Sequence, residues 1–141
     1  MCLLDTFEGL TDHSAYARVT IRDDTLFCEQ GRVSSWVAIE YLAQTIGLYS
    51  GVQAYQQQSK PCMGFLLGVR KAIMRVPYFT VGQVLACRAS LVMSQELGLH
   101  VFDTQLQDEA TGEVLCEARL TVLQTEDTEA FFGNRTGEVA A

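Results

Sequence analysis

The sequence predicts an α+β domain in which an antiparallel sheet wraps around one long central helix. Three observations predict it. A single long apolar segment runs from Trp36 to Leu48, an alternating strand pattern precedes it, and three long strand patterns follow it. Elements segregated in this order pack as a sheet against a helix rather than as repeated βαβ units.

The first strand region holds two runs, Cys2–Glu8 and Ala15–Ile21, with a turn over Gly9–Ser14. In the second run Ala15, Ala17, Val19 and Ile21 alternate with Tyr16, Arg18, Thr20 and Arg22, the period of a half-buried strand. Asp23 to Val33 reads as a loop. Ser34 and Ser35 are N-cap candidates for the helix. The helix is apolar on nearly every face, which predicts burial all round. Gln53–Lys60 turns polar and Pro61 stops the pattern, giving about six turns at about 3.6 residues each.

After the helix, Cys62–Arg70 and Ala72–Val76 read as one bent strand or two short ones, followed by a turn at Thr80-Val81-Gly82. Gln83–Met93, Gly98–Gln107 and Val114–Leu123 are long strands, with a hairpin turn over Asp108–Gly112 between the last two. The expected domain is residues 1–124. Residues 125–141 are expected to form an acidic, mobile tail.

Composition narrows the function. The net charge of −7 argues against a general nucleic-acid binder, which needs a positive surface to displace phosphate counterions. Met1–Leu4 is too short for a signal core, and Glu40 and Gln44 interrupt the longest apolar stretch. Roughly 18 apolar residues are needed to cross a bilayer, so no membrane span is expected. The five cysteines, Cys2, Cys28, Cys62, Cys87 and Cys116, are odd in number, widely spaced and without a CxxC pair. With only His13 and His100 beside them, no metal site and no cofactor are expected. Reduced thiols packed as small hydrophobes fit a cytoplasmic protein.

Five segments carry a family resemblance. Glu40-Tyr41-Leu42-Ala43-Gln44 resembles the Glu-x-x-Ala-Gln signature on the central helix of hot-dog-fold 3-hydroxyacyl-acyl-carrier-protein dehydratases. Gly64–Ala72 resembles the strand after that helix. Val76-Pro77 with Val81–Leu85 resembles the family's Pro and Val-x-Gly-Asp-x-Leu segment. Gly112–Ala118 resembles its last strand, and Met1–Asp5 its opening one. The resemblance covers residues 1–124 and implies the hot-dog fold. Ser-Trp-Val-x-x-Glu-Tyr-x-Ala-Gln, from Ser35 to Gln44, is closest to the dehydratase-like branch associated with aryl polyene assembly. One departure stands out. The family usually carries a histidine in the loop before the helix, and Leu26–Val33 here has none.

The resemblance implies dehydration of 3-hydroxyacyl thioesters, as in fatty-acid or polyene-type biosynthesis, by a hydro-lyase. Such a reaction needs a base for the proton beside the carbonyl, an acid for the departing hydroxyl and donors for the enolate oxygen. Glu40 would serve the hydroxyl, because burial on the helix favours its protonated form, and Gln44, one turn on, would hold its side chain. Glu40 alternatively faces a subunit interface or a buried water, but an uncompensated buried charge is costly, which favours a functional role. For Gln44 a purely structural role fits as well. Main-chain N–H groups at the helix start and near Gly64 and Phe65 would polarise the thioester carbonyl. Trp36, Tyr41, Phe65 and Leu66 would line an acyl tunnel, or serve as plain core. Arg70, Lys71 and Arg75 form a basic cluster that would steer an acyl carrier protein or the phosphates of coenzyme A, or form an ordinary solvated strand face.

The missing histidine leaves three readings: another group is the base, a partner subunit supplies it, or the chain binds acyl groups without catalysis. A hot-dog thioesterase, using Glu40 to activate water, is the alternative enzyme. Exposed sheet edges predict a homodimer, or a heterodimer with a related hot-dog subunit.

Overall fold

The computed structural model describes residues 3–11, 13–56 and 63–125. Met1, Cys2, Cys62 and the expected tail beyond Thr125 lie outside the described residues. The elements run β1 (Thr6–Leu10), β2 (Ser14–Thr20), β3 (Arg32–Ser34), α1 (Val37–Gln56), β4 (Met63–Met74), β5 (Tyr78–Thr80), β6 (Val84–Ser94), β7 (Leu99–Asp108) and β8 (Val114–Thr125). Six strands form one sheet in the order β1-β2-β6-β7-β8-β4, and β3 pairs with β5 apart from it. Every pairing is antiparallel.

The sheet's inner face explains how the helix fits. Ala17 sits opposite Cys87, Cys87 opposite Leu106, and Leu106 opposite Cys116. In the next row Ala15 meets Ala89, Ala89 meets Thr104, and Thr104 meets Ala118. The small side chains Ala15, Ala17, Cys87, Ala89, Cys116 and Ala118 let the helix backbone approach, while the larger Phe102, Leu106 and Leu120 fill the remaining space. All of these are buried. Thr104 Oγ1 donates to the Ala118 carbonyl at 2.8 Å, which makes the one hydroxyl in this row tolerable.

The helix differs from its expectation. Ala38, Tyr41, Leu42, Thr45, Ile46 and Tyr49 are buried, a stripe at helical spacing, but Trp36, Glu40 and Gly47 are exposed. A single sheet covers one side of a cylinder. Ala43 and Leu48 are partly buried against the margin of the core, while Gly47 counts as apolar in sequence although its side of the helix is open. The residues expected to cap the helix sit just ahead of it. Ser34 ends β3, and the Ser35 carbonyl accepts the Ala38 N–H at 3.0 Å.

Residues 23 to 33, expected to be all loop, end in the first two residues of β3. Val33 and Phe79 pair across β3 and β5 and both are fully buried. A three-residue strand has too few residues to show alternation. The bent strand appears as one element, β4, whose register with β8 shifts between Arg70 and Ile73, with Lys71 at φ 54°. The turn at Gly82 has φ 98°, and its N–H donates to the Ile21 carbonyl at 2.9 Å. Only glycine takes that conformation without strain.

Candidate active site

The start of α1 and the residue just ahead of it present three side chains at the spacing of successive turns, Trp36, Glu40 and Gln44, on the side away from the sheet. With Leu3, Leu26, Phe27 and Val37 they line an open cleft of about 470 Å³. Its walls are mostly apolar, and Glu40 is the only ionisable group among the described residues that line it. Gln44 Nε2 donates to Glu40 Oε1 at 3.3 Å, and Gln44 Oε1 accepts the Leu3 N–H at 2.7 Å.

The loop before the helix builds the far wall. The Arg22 N–H donates to Thr25 Oγ1 at 2.7 Å, and the Cys28 N–H to the Thr25 carbonyl at 2.9 Å. Phe27 and Gln30 take left-handed backbone conformations, φ 70° and 54°, uncommon for residues with a Cβ. This turn leaves Leu26 and Phe27 exposed towards the cleft. In the sequence both belong to the loop that lacks the family's histidine. An apolar pair inside a polar loop was the available signal for them. Leu3 and Val37 carried no such signal.

The sequence-predicted residues divide. Trp36, Glu40 and Gln44 come together, and Trp36 is 65% exposed. The expectation that Glu40 is desolvated on a buried helix does not hold in the single chain. The carboxylate is exposed, because the sheet covers the other side of α1. Tyr41 points into the core and is fully buried. Burial pushes its phenol up to about 12, with Cys87, Asp5 and Cys28 adding to the effect. Leu66 lies on β4, the outer strand of the sheet, and is 42% exposed. Gly64 and Phe65 are on the same strand, and their side-chain surroundings lie outside the described residues.

The basic cluster is split by the bulge in β4. Lys71 faces a depression on the outer surface of the sheet with Arg88 and Arg119. Arg75 lines a hollow that shares Trp36 with the cleft and also contains Ser35 and Tyr78. Arg75 Nη2 lies 3.0 Å from Glu117 Oε2. Arg70 is exposed, in register with Arg119. Arg32, unremarked in the sequence, stacks its guanidinium 4.6 Å from the centre of the Tyr78 ring.

Neither histidine is among the residues lining the cleft. His13 accepts the Leu91 N–H on its carbonyl at 2.7 Å, and His100 Nδ1 lies 2.8 Å from Ser94 Oγ. Cys28, Cys87 and Cys116 are free thiols, and burial pushes Cys87 up to about 12 and Cys116 up to about 11. Burial of this kind disfavours the reactive thiolate at Cys87 and Cys116. No helix among the described residues is long and apolar enough to cross a membrane.

An antiparallel sheet on one long helix, with a carboxylate at the helix start, defines a hot-dog-fold protein of the dehydratase and thioesterase kind. The family model of the ApeP dehydratase matches residues 1–133, and the chain belongs to this ApeP-like family of dehydratases, which are hydro-lyases. It is 31% identical to a chain of the ApeI:P dehydratase heterocomplex from Xenorhabdus doucetiae, over 92% of this chain and 87% of that one, with a TM-score of 0.83. A thioesterase from Haemophilus influenzae is 13% identical over 84% of this chain and 76% of that one, with a TM-score of 0.65. A hypothetical thioesterase solved with coenzyme A, from Streptococcus pneumoniae, is 17% identical over 85% and 87%, with a TM-score of 0.64. The last two share the fold alone. No curated protein matches the chain significantly.

Proposed function

We propose that this chain removes water from 3-hydroxyacyl thioesters delivered on acyl carrier protein, in a site completed by a second hot-dog subunit. The observation that carries the reading is the Glu40 carboxylate, held by Gln44 in an otherwise apolar cleft. In the reaction the proton next to the carbonyl leaves to a base, the carbon–oxygen bond at the third carbon breaks, a double bond forms between them, and the departing hydroxyl takes a proton. Glu40 is the proton donor to that hydroxyl. Trp36, Phe27 and Leu26 hold the acyl chain beside it.

The described cleft offers one proton-transfer group where elimination needs two roles. The base therefore comes from the partner subunit. Two features support such a partner. The helix side bearing Glu40 is open, and the outer strand β4 exposes Leu66, Leu67, Val69 and Ile73. An apolar unpaired edge of this kind invites strand pairing. The relative from Xenorhabdus doucetiae is itself a heterocomplex. Closing the cleft would exclude water from the reacting groups. Arg75 in the hollow beside Trp36, with Arg32 stacked on Tyr78, gives a positive approach for an anionic carrier protein or the phosphates of coenzyme A.

The single ionisable group in the cleft also suits a second reading, an acyl-binding subunit without turnover of its own. One experiment separates the readings: mass spectrometry of a 3-hydroxyacyl carrier protein after incubation with this chain, alone and with a candidate partner. Loss of one water that depends on Glu40 is the expected result. Bound but unchanged acyl carrier in both incubations overturns it in favour of the binding subunit. Return of the free carrier thiol overturns it in favour of a thioesterase.

A further inference from the structure

Gln44 ties together two distant parts of the chain. Its Oε1 accepts the Leu3 main-chain N–H at 2.7 Å, and its Nε2 donates to Glu40 Oε1 at 3.3 Å. The first bond fixes the second. A main-chain N–H can only donate, so turning the amide over would set two donors against each other and two oxygens against each other. The side chain is left with one orientation, its NH₂ towards Glu40. The shorter of the two bonds is the one to Leu3.

Leu3 is itself held in place. Leu4 beside it is buried, the Asp5 N–H donates to the Arg18 carbonyl at 2.9 Å, and Asp5 Oδ1 lies 3.4 Å from Arg22 Nη1. Strand β2 thus anchors the segment ahead of β1, the segment locks Gln44, and Gln44 directs the carboxylate.

We infer that the main-chain N–H of Leu3 is a positioning group for Glu40, which makes the segment ahead of β1 a working part of the cleft. The inference rests on the dehydratase reading for the use to which Glu40 is put. The lock itself is independent of that reading. Without it the Gln44 amide loses the main-chain bond to its oxygen, and its hold on the Glu40 carboxylate weakens.

The test pairs kinetics with amide exchange on the full chain, in whatever assembly supports turnover. Leu3→Pro removes the N–H and Leu3→Ala keeps it. Leu3→Pro should lower kcat about tenfold, as Gln44→Ala does, a loss in the range of one hydrogen bond to a charged group. Leu3→Ala should act chiefly on KM, through the cleft wall. The double variant Leu3→Pro/Gln44→Ala should lose no more than either alone, since both break one connection. A further multiplicative loss in the double variant, or Leu3→Pro behaving as Leu3→Ala, overturns the inference. The lock is read without activity from the Leu3 amide proton, which should exchange slowly in the native chain and faster in Gln44→Ala. Equal exchange in the two overturns the lock. Slow exchange without any turnover retires the dehydratase reading and leaves the lock standing.

Discussion

The Tyr49 ring meets Phe102 edge-on, with centroids 5.6 Å apart and the planes at 76°. This contact fastens the middle of α1 to the central strand β7, and both residues are buried. Phe102→Ala should therefore empty the space under the helix and cost about 3–5 kcal/mol. Phe102→Leu should cost clearly less, because most of the volume stays. Urea denaturation of the two variants checks this, and equal losses would mean that the edge-on ring contact, rather than the filled volume, carries the stability.

Trp36 stands at the boundary of the cleft and the Arg75 hollow, and most of its surface is open. A side chain this exposed contributes little to folding, so Trp36→Ala should change stability by less than about 0.5 kcal/mol. If it holds acyl substrate, the same variant should raise KM by about tenfold or more, in line with the loss of one large apolar contact. Thermal denaturation and steady-state kinetics on one sample separate the two effects. A large drop in stability with unchanged KM would return Trp36 to the core.

How the fold and site were legible follows from these residues. Alternation revealed β2, and β6, β7 and β8 were placed to within a residue or two, because each is long and has one buried face. The three-residue β3 was invisible for lack of length. The sequence showed that α1 is apolar but not which side is covered, since alanine and glycine count as apolar wherever they point. That ambiguity is why Glu40 was expected to be buried and lies open, and why Tyr41, one residue on, was left between tunnel lining and plain core and lies in the core. Glu40 and Gln44 were legible as a pair because four residues is one helical turn. Leu3 was not, because a contact across 41 positions leaves no local trace.

Arg119 grips Asp103 with two nitrogens, Nε to Oδ1 at 2.8 Å and Nη2 to Oδ2 at 3.1 Å. The hydrogen bond from Arg119 holds the Asp103 carboxyl below the usual carboxylate range, with slight burial opposing and the charges of Arg119 and Lys71 adding. A carboxyl depressed in the folded state stabilises above its unfolded value of about 3.9, and the contribution is lost as pH falls through the folded value. Both side chains are substantially exposed, so the effect is small and screened by salt. Asp103→Asn should melt slightly below the native chain at neutral pH, and the gap should close as pH falls through the depressed carboxyl's own value, or in about 1 M salt. A gap that persists under both conditions would mean that packing, not charge, is lost.

Tyr41 supplies the sharpest test of the core. Its hydroxyl is buried and meets no hydrogen-bond partner among the described residues. Its carbonyl accepts the Thr45 hydroxyl at 2.9 Å, so the main chain at this turn is satisfied while the phenol is not. A buried hydroxyl without a partner costs about 1–3 kcal/mol relative to the same ring without it. Tyr41→Phe keeps the ring and removes only that oxygen, so it should stabilise the chain by about 1 kcal/mol, read as a higher urea midpoint at unchanged slope. Because Tyr41 lies behind the helix surface that carries Glu40, turnover should be unaffected by the gain in stability. A loss of stability of similar size would instead show that the hydroxyl is bonded in solution, and a loss of turnover with stability retained would bring Tyr41 back into the site.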